Sequence, residues 1–224
     1  MFDNFSQPVS IYCERLSPAF WAEPVNALSN LAFILAAVFA YLLWRKQTAK
    51  TMDMLVLIIM ALVVGTGSFI FHTVATKGAM LADIIPIIIF IHYALWVIFT
   101  RGFGVRWYYA ATAVIAFIAF NVLILNAFGR TLFNGSIQYV PTFLMLLLVA
   151  IYAVKKRYGF SHEFFIAALT FYIAITCRSI DNIVCPQFPL GTHFLWHIFN
   201  GVTMYFVMRG LTIERATTPS PKPL

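Results

Sequence analysis

The chain has 224 residues, 62% of them hydrophobic and only 10% charged, with a mean hydropathy of +0.86. That composition excludes an ordinary water-soluble domain. The formal charge of +7 does not redirect the reading toward nucleic acid, because the basic residues are spread over short loops and form no stripe with interleaved aromatics.

Residues 1–23 form an N-terminal segment outside the membrane. Its start, "MFDNFSQPVSIY", has no basic region followed by an apolar core, so no cleavable signal peptide is expected and the first helix must direct insertion. Apolar runs long enough to cross a hydrocarbon core of ~30 Å then recur at Pro24–Trp44, Met54–Val74, Ala79–Phe99, Val105–Ala127, Ser136–Val154, His162–Ile180 and Thr192–Met208. The expected fold is an all-α membrane protein, a bundle of seven transmembrane helices filling residues 24–210. The tail from 211 to 224 ends in "ATTPSPKPL", is too polar to pack, and is expected to be disordered.

Orientation follows from the loops. Arg45, Lys46, Lys50, Arg101, Arg106, Lys155, Lys156, Arg157, Arg209, Arg215 and Lys222 fall in loops one, three and five or in the tail, against Arg15, Lys77, Arg130 and Arg178 on the other side. Positive-inside bias therefore puts the N-terminus outside and the C-terminus in the cytoplasm.

Threaded this way, the second span ends in "GTGSFIFHTVAT", with His72 near the outer interface and Ser68 one turn deeper on the same face. The third span starts in "GAMLADIIP" and carries Asp83 about one turn below that interface, while "GTHFLWHIFNG" puts His193 and His197 at the outer end of the seventh span, about 6 Å apart along its axis. Ionisable groups inside a membrane are costly and usually face the bundle interior, where they pair, bind or react. Three neutral imidazoles make an incomplete tetrahedral shell of the kind a catalytic zinc ion uses, and with no thiolate at that depth zinc is the favoured metal.

Zinc brings the pKa of water down toward ~7, and a proton acceptor is still needed. Phe194, Leu195 and Trp196 fill the stretch where the HExxH motif carries its own Glu, so the base has to come from another helix. Asp83 is the candidate, either as that base or as a partner orienting a ligand histidine. Ser68 has two readings, a donor to a developing oxyanion or a hydroxyl bonded to the carbonyl one turn back. His92, about 13 Å deeper than Asp83 along the third span, and His162, at the cytoplasmic face, fall outside the cluster.

Together these residues resemble the alkaline ceramidase family, within a superfamily of seven-span membrane proteins that includes the adiponectin receptors. The resemblance rests on "YCERLSPAFWAEPVNALSN", "GTGSFIFHTVATKGAMLADIIP" and "GTHFLWHIFNG". It implies zinc on His72, His193 and His197, Asp83 and Ser68 around the activated water, and hydrolysis of a ceramide-like membrane lipid to a sphingoid base and a fatty acid. It also implies a calcium site in the N-terminal segment, for which Glu14, Glu23 and the Tyr12 carbonyl are candidate ligands. Ile11 and Leu16 stand where oxygen ligands are expected, and Arg15 adds an opposing charge.

Cys13 and Cys185 lie outside the membrane on one side, and in an oxidising compartment they are candidates for a disulfide, in agreement with the resemblance; two free thiols are the alternative. Arg178 and Asp181 in "CRSIDN" read either as a headgroup anchor or as an interfacial ion pair. The leading function is an intramembrane zinc lipid amidase. The alternatives are a seven-span receptor or sensor with a structural zinc, and a zinc-dependent lipid ester hydrolase.

Overall fold

The computed structural model describes the backbone of residues 5–217 and the side chains of residues 5–213. Its elements are α1 (Pro24–Ser29), α2 (Leu31–Trp44), α3 (Met52–Val74), α4 (Lys77–Val97) continuing through a π-helical turn (Ile98–Gly102), α5 (Trp107–Phe128), a 3-10 turn (Ser136–Tyr139), α6 (Val140–Lys155), α7 (Ser161–Val184) and α8 (His193–Thr217). Among the described residues there is no β-sheet, only an isolated bridge between Pro8 and Thr76.

Among the described residues, six stretches are long and apolar enough to cross a membrane: Pro24–Trp44, Met52–Val74, Lys77–Gly102, Trp107–Phe128, Ser136–Lys155 and Ser161–Val184. They coincide with the first six expected spans to within a few residues. α8 has the length, at 25 residues, but interrupts its apolar surface with His193, His197, Asn200, Thr203 and Thr212, all of them buried. Buried polar residues on a helix that packs centrally lower its hydropathy without exposing it to water.

α8 lies between α7 and α2, its most extensive neighbours, while α3 pairs with α4 and α6 with α7. α5 is the most peripheral helix, with Ala110 and Phe117 as its buried residues. The core runs through Phe33, Leu57, Val64, Phe160, Phe164 and Met208. Bulky aliphatic residues such as Leu35, Ile59, Ile88, Leu123, Leu148 and Leu169 point outward, which in a bilayer places them against acyl chains and costs nothing.

The helix does not stop at residue 210, where the tail was expected to take over. α8 continues to Thr217 because Leu211 and Thr212 are only 5% and 2% exposed, with Leu211 in the main core and the Thr212 hydroxyl donating to the Met208 carbonyl at 2.8 Å. Residues 218–224, the rest of that expected tail, lie outside the described residues.

The N-terminal segment folds over the α3–α4 turn. Val9 N–H donates to the Ala75 carbonyl (2.8 Å), and Lys77 N–H to the Gln7 carbonyl (3.0 Å). This brings Tyr12, Cys13, Glu14 and Arg15 under cover, all of them buried.

Candidate metal centre

His72 comes from the last turn of α3, and His193 and His197 come from the first turns of α8. Each side chain offers one ligand atom such that the three atoms lie within 4.8 Å of one another. The rings are sealed from solvent, at 0%, 2% and 1% exposure. Four-residue spacing on α8 puts His193 and His197 on one face, and the packing of α3 beside α8 supplies the third ring.

Partners on the far sides of these rings orient them. Glu23 Oε2 accepts from His72 Nδ1 at 2.6 Å, and the Ser29 hydroxyl is 2.7 Å from His197 Nδ1. The Tyr12 ring stacks on His193, centroids 3.5 Å apart and planes 15° from parallel. His72 Nε2 and His193 Nδ1 are then buried without a hydrogen-bond partner. Unpartnered buried polar atoms are destabilising by roughly 1–3 kcal/mol each, and a metal ion bound between the rings would use those lone pairs. The donor set of three imidazoles fits zinc.

The start of α8 is held from α7. Asp181 Oδ1 accepts from the N–H groups of Thr192 (2.7 Å) and His193 (2.9 Å), while its Oδ2 accepts from Cys13 N–H (3.1 Å). Gly191 makes this possible with φ +64°, since a Cβ there would come 2.1 Å from Asp181 Oδ1. Cys13 and Cys185 are joined as a disulfide with a Cα–Cα distance of 5.4 Å. Asp181 and Arg178 thus do not pair. Arg178 instead donates to the Asn134 carbonyl, the Ser136 hydroxyl (3.1 Å) and the Tyr12 hydroxyl (3.4 Å), among the rings of Tyr12, Tyr139 and Trp196.

Asp83 stands beside the cluster and outside its set of ligand atoms. Ser68 hydrogen-bonds its carboxylate, and Asp83 Oδ1 is buried with no partner. Gly67 permits the approach of α3 and α4 that joins them, for a Cβ at that position would meet the Ala82 carbonyl at 2.1 Å. His92 bonds the Ile88 carbonyl of its own helix at 2.7 Å and takes no part.

The residues offered to calcium are engaged by protein groups. Glu14 accepts from Val25 N–H (2.7 Å) and Asn26 N–H (2.8 Å) at the start of α1. Glu23 takes His72, Arg15 and Asn26. Burial alone would raise the Glu23 carboxyl, but these donors outweigh it and hold the group below the ordinary carboxylate range. The Tyr12 carbonyl accepts from Arg15 N–H at 3.2 Å. We propose no calcium site on these three residues.

Sequence reasoning missed the parts played by Ser29, Arg15 and Asp181. Ser29 had a signal, since Asn26, Ser29 and Asn30 recur at helical spacing in an otherwise apolar span. Asp181 had none, because its three partners are backbone N–H groups from two other segments.

The described residues thus define a helical bundle of membrane-spanning character that encloses a three-histidine site of metal-binding type. The ceramidase family model matches residues 12–223, nearly the whole chain, and the chain belongs to the ceramidase family. No curated protein matches it.

Proposed function

We propose that this protein is a zinc-dependent lipid amide hydrolase of the membrane interior, cleaving ceramide or a related N-acyl lipid to a sphingoid base and a fatty acid. α8 is its seventh span, the N-terminus is outside and the site lies near the non-cytoplasmic face. The observation that carries this reading is the set of three sealed imidazoles, two with unpartnered ring nitrogens, beside the half-buried Asp83. Family membership supports the hydrolase class.

His72, His193 and His197 hold the metal, which when bound supplies Lewis-acid chemistry by acidifying water and polarising a carbonyl. Asp83 takes the proton of the attacking water and returns it to the departing amine nitrogen. Ser68 orients that carboxylate through its hydrogen bond.

Two cavities support a lipid substrate. One, of about 330 Å³, is lined by Tyr12, Asp83, Gln138, Tyr139, Arg178 and Trp196 among others, and mixes polar and apolar walls. A second, almost wholly apolar, runs deeper past Phe33, Phe90, Leu95, Leu146 and Val207. They share Ile87, Tyr139 and Trp196. A headgroup and amide in the first, with an acyl chain in the second, follows the usual division of a ligand site into few polar groups and a large apolar wall.

The test is zinc content and fatty-acid release, measured on purified wild type, His193→Ala and Asp83→Asn with ceramide and with lipid esters. About one zinc per chain in wild type and Asp83→Asn, loss of zinc in His193→Ala, and ceramide hydrolysis by wild type alone are expected. Turnover of esters only would move the substrate class, and zinc without any hydrolysis would favour a receptor with a structural metal.

A further inference from the structure

Arg15 is only 6% exposed, and its guanidinium gathers four oxygens. Nε donates to Glu23 Oε1, one terminal nitrogen donates to the carbonyls of Ser17 (3.2 Å) and Ala19 (3.3 Å), and the other donates to the His72 carbonyl (2.9 Å). Glu23 meanwhile places its other oxygen on His72 Nδ1 and on Asn26 Nδ2 (3.0 Å). Arg15 therefore reaches His72 by two routes, through its main chain and, by way of Glu23, through its ring.

A buried guanidinium is tolerated only when its donors are met and its charge is paired. Both conditions are satisfied here by groups that all belong to the N-terminal loop or to His72. The planar fork is what allows one side chain to serve acceptors in several directions at once. Its charge also sits on the carboxylate that a divalent ion in this segment would need.

We propose that Arg15 is a positioning residue for the three-histidine site, a cation built into the chain that holds Glu23 on His72 and so keeps His72 Nε2 turned toward the metal. It takes the place of a bound divalent ion at the N-terminal carboxylates. The inference rests on the metal-site reading above but concerns a residue that is not a ligand. Without Arg15, Glu23 loses the anchor on its Oε1, the 17–19 loop loses its tie to α3, and the His72 ring is less firmly directed.

The experiment uses the full chain in detergent. Zinc affinity is measured by competition with a chromophoric chelator for wild type, Arg15→Met and Arg15→Lys, with and without millimolar calcium, and the visible bands of the cobalt-loaded proteins are compared. Arg15→Met is expected to bind zinc about 10–100-fold more weakly, the usual effect of losing a group that orients a metal ligand. Arg15→Lys should fall between, since an ammonium can meet Glu23 but cannot reproduce the fork. The cobalt bands should shift in Arg15→Met, which a purely structural role would not cause. Calcium should leave the wild-type zinc affinity unchanged.

Wild-type zinc affinity and unshifted cobalt bands in a helical, folded Arg15→Met would overturn the proposal, as would calcium that tightens zinc binding in the wild type. Should Arg15→Met fail to fold, Arg15→Lys decides by itself, and an unchanged affinity there has the same force. Absence of zinc from wild type would instead sink the hydrolase reading and this inference with it, and is distinguished because it needs no substitution.

Discussion

Glu23 Oε2 lies 2.6 Å from His72 Nδ1, which joins the residue just before α1 to the end of α3 and assigns the ring its tautomer. A carboxylate can only accept, so Nδ1 carries the proton and Nε2 keeps its lone pair for a metal. Glu23→Gln retains an acceptor but not the charge, and leaves Arg15 without its ion-pair partner. Zinc affinity is expected to fall about 10-fold, at the mild end for a group that orients a metal ligand. Chelator competition measures it, with circular dichroism as the check on fold.

Asp181 serves three backbone donors, Cys13, Thr192 and His193, at the point where α8 begins. Asp181→Ala leaves those N–H groups unmet in a buried place. A loss of about 2 kcal/mol or more is expected from the helix cap and the unsatisfied donors together. Thermal unfolding in detergent reads it, and a midpoint equal to wild type would contradict the assigned role.

Gly67 is the contact point of α3 and α4. The methyl of Gly67→Ala would come 2.1 Å from the Ala82 carbonyl, so the helices have to separate. Overpacking of this kind destabilises by about 1–3 kcal/mol. The same separation parts Ser68 from Asp83, so kcat should drop more than zinc content does. Equal losses in both would mean that the cluster itself is disrupted.

The Cys13–Cys185 bond closes a loop with a sequence separation of 172. Replacing both cysteines by serine is expected to lower stability by about 2–5 kcal/mol. Limited proteolysis should then cut first in the N-terminal segment, which the bond ties to the loop leading into α8. A cleavage pattern identical to that of wild type would show that hydrogen bonds suffice to hold the segment.

Much of this architecture is written in local patterns. Six of the seven expected spans reappear as helices long and apolar enough to cross a membrane, because an apolar run of that length has few other structures open to it in lipid. The end of α8 was harder to read. Leu211 and Thr212 look like the start of a polar tail only when the packing that buries them is unknown.

The gathering of His72, His193 and His197 was likewise legible, since ionisable residues stand out in an apolar chain and their relative heights follow from helix rise and chain direction. Depth alone does not say which way a ring turns. The sequence by itself therefore determined the membrane-helical class, the approximate spans and which histidines share a level. Only the tertiary structure decided that Glu23 and Ser29 direct two of those rings, that Arg15 is tied to both Glu23 and His72, and that Asp181 bonds backbone N–H groups instead of Arg178. Those contacts join residues far apart in the chain, several through backbone groups that every residue possesses, so no residue type or spacing announces them.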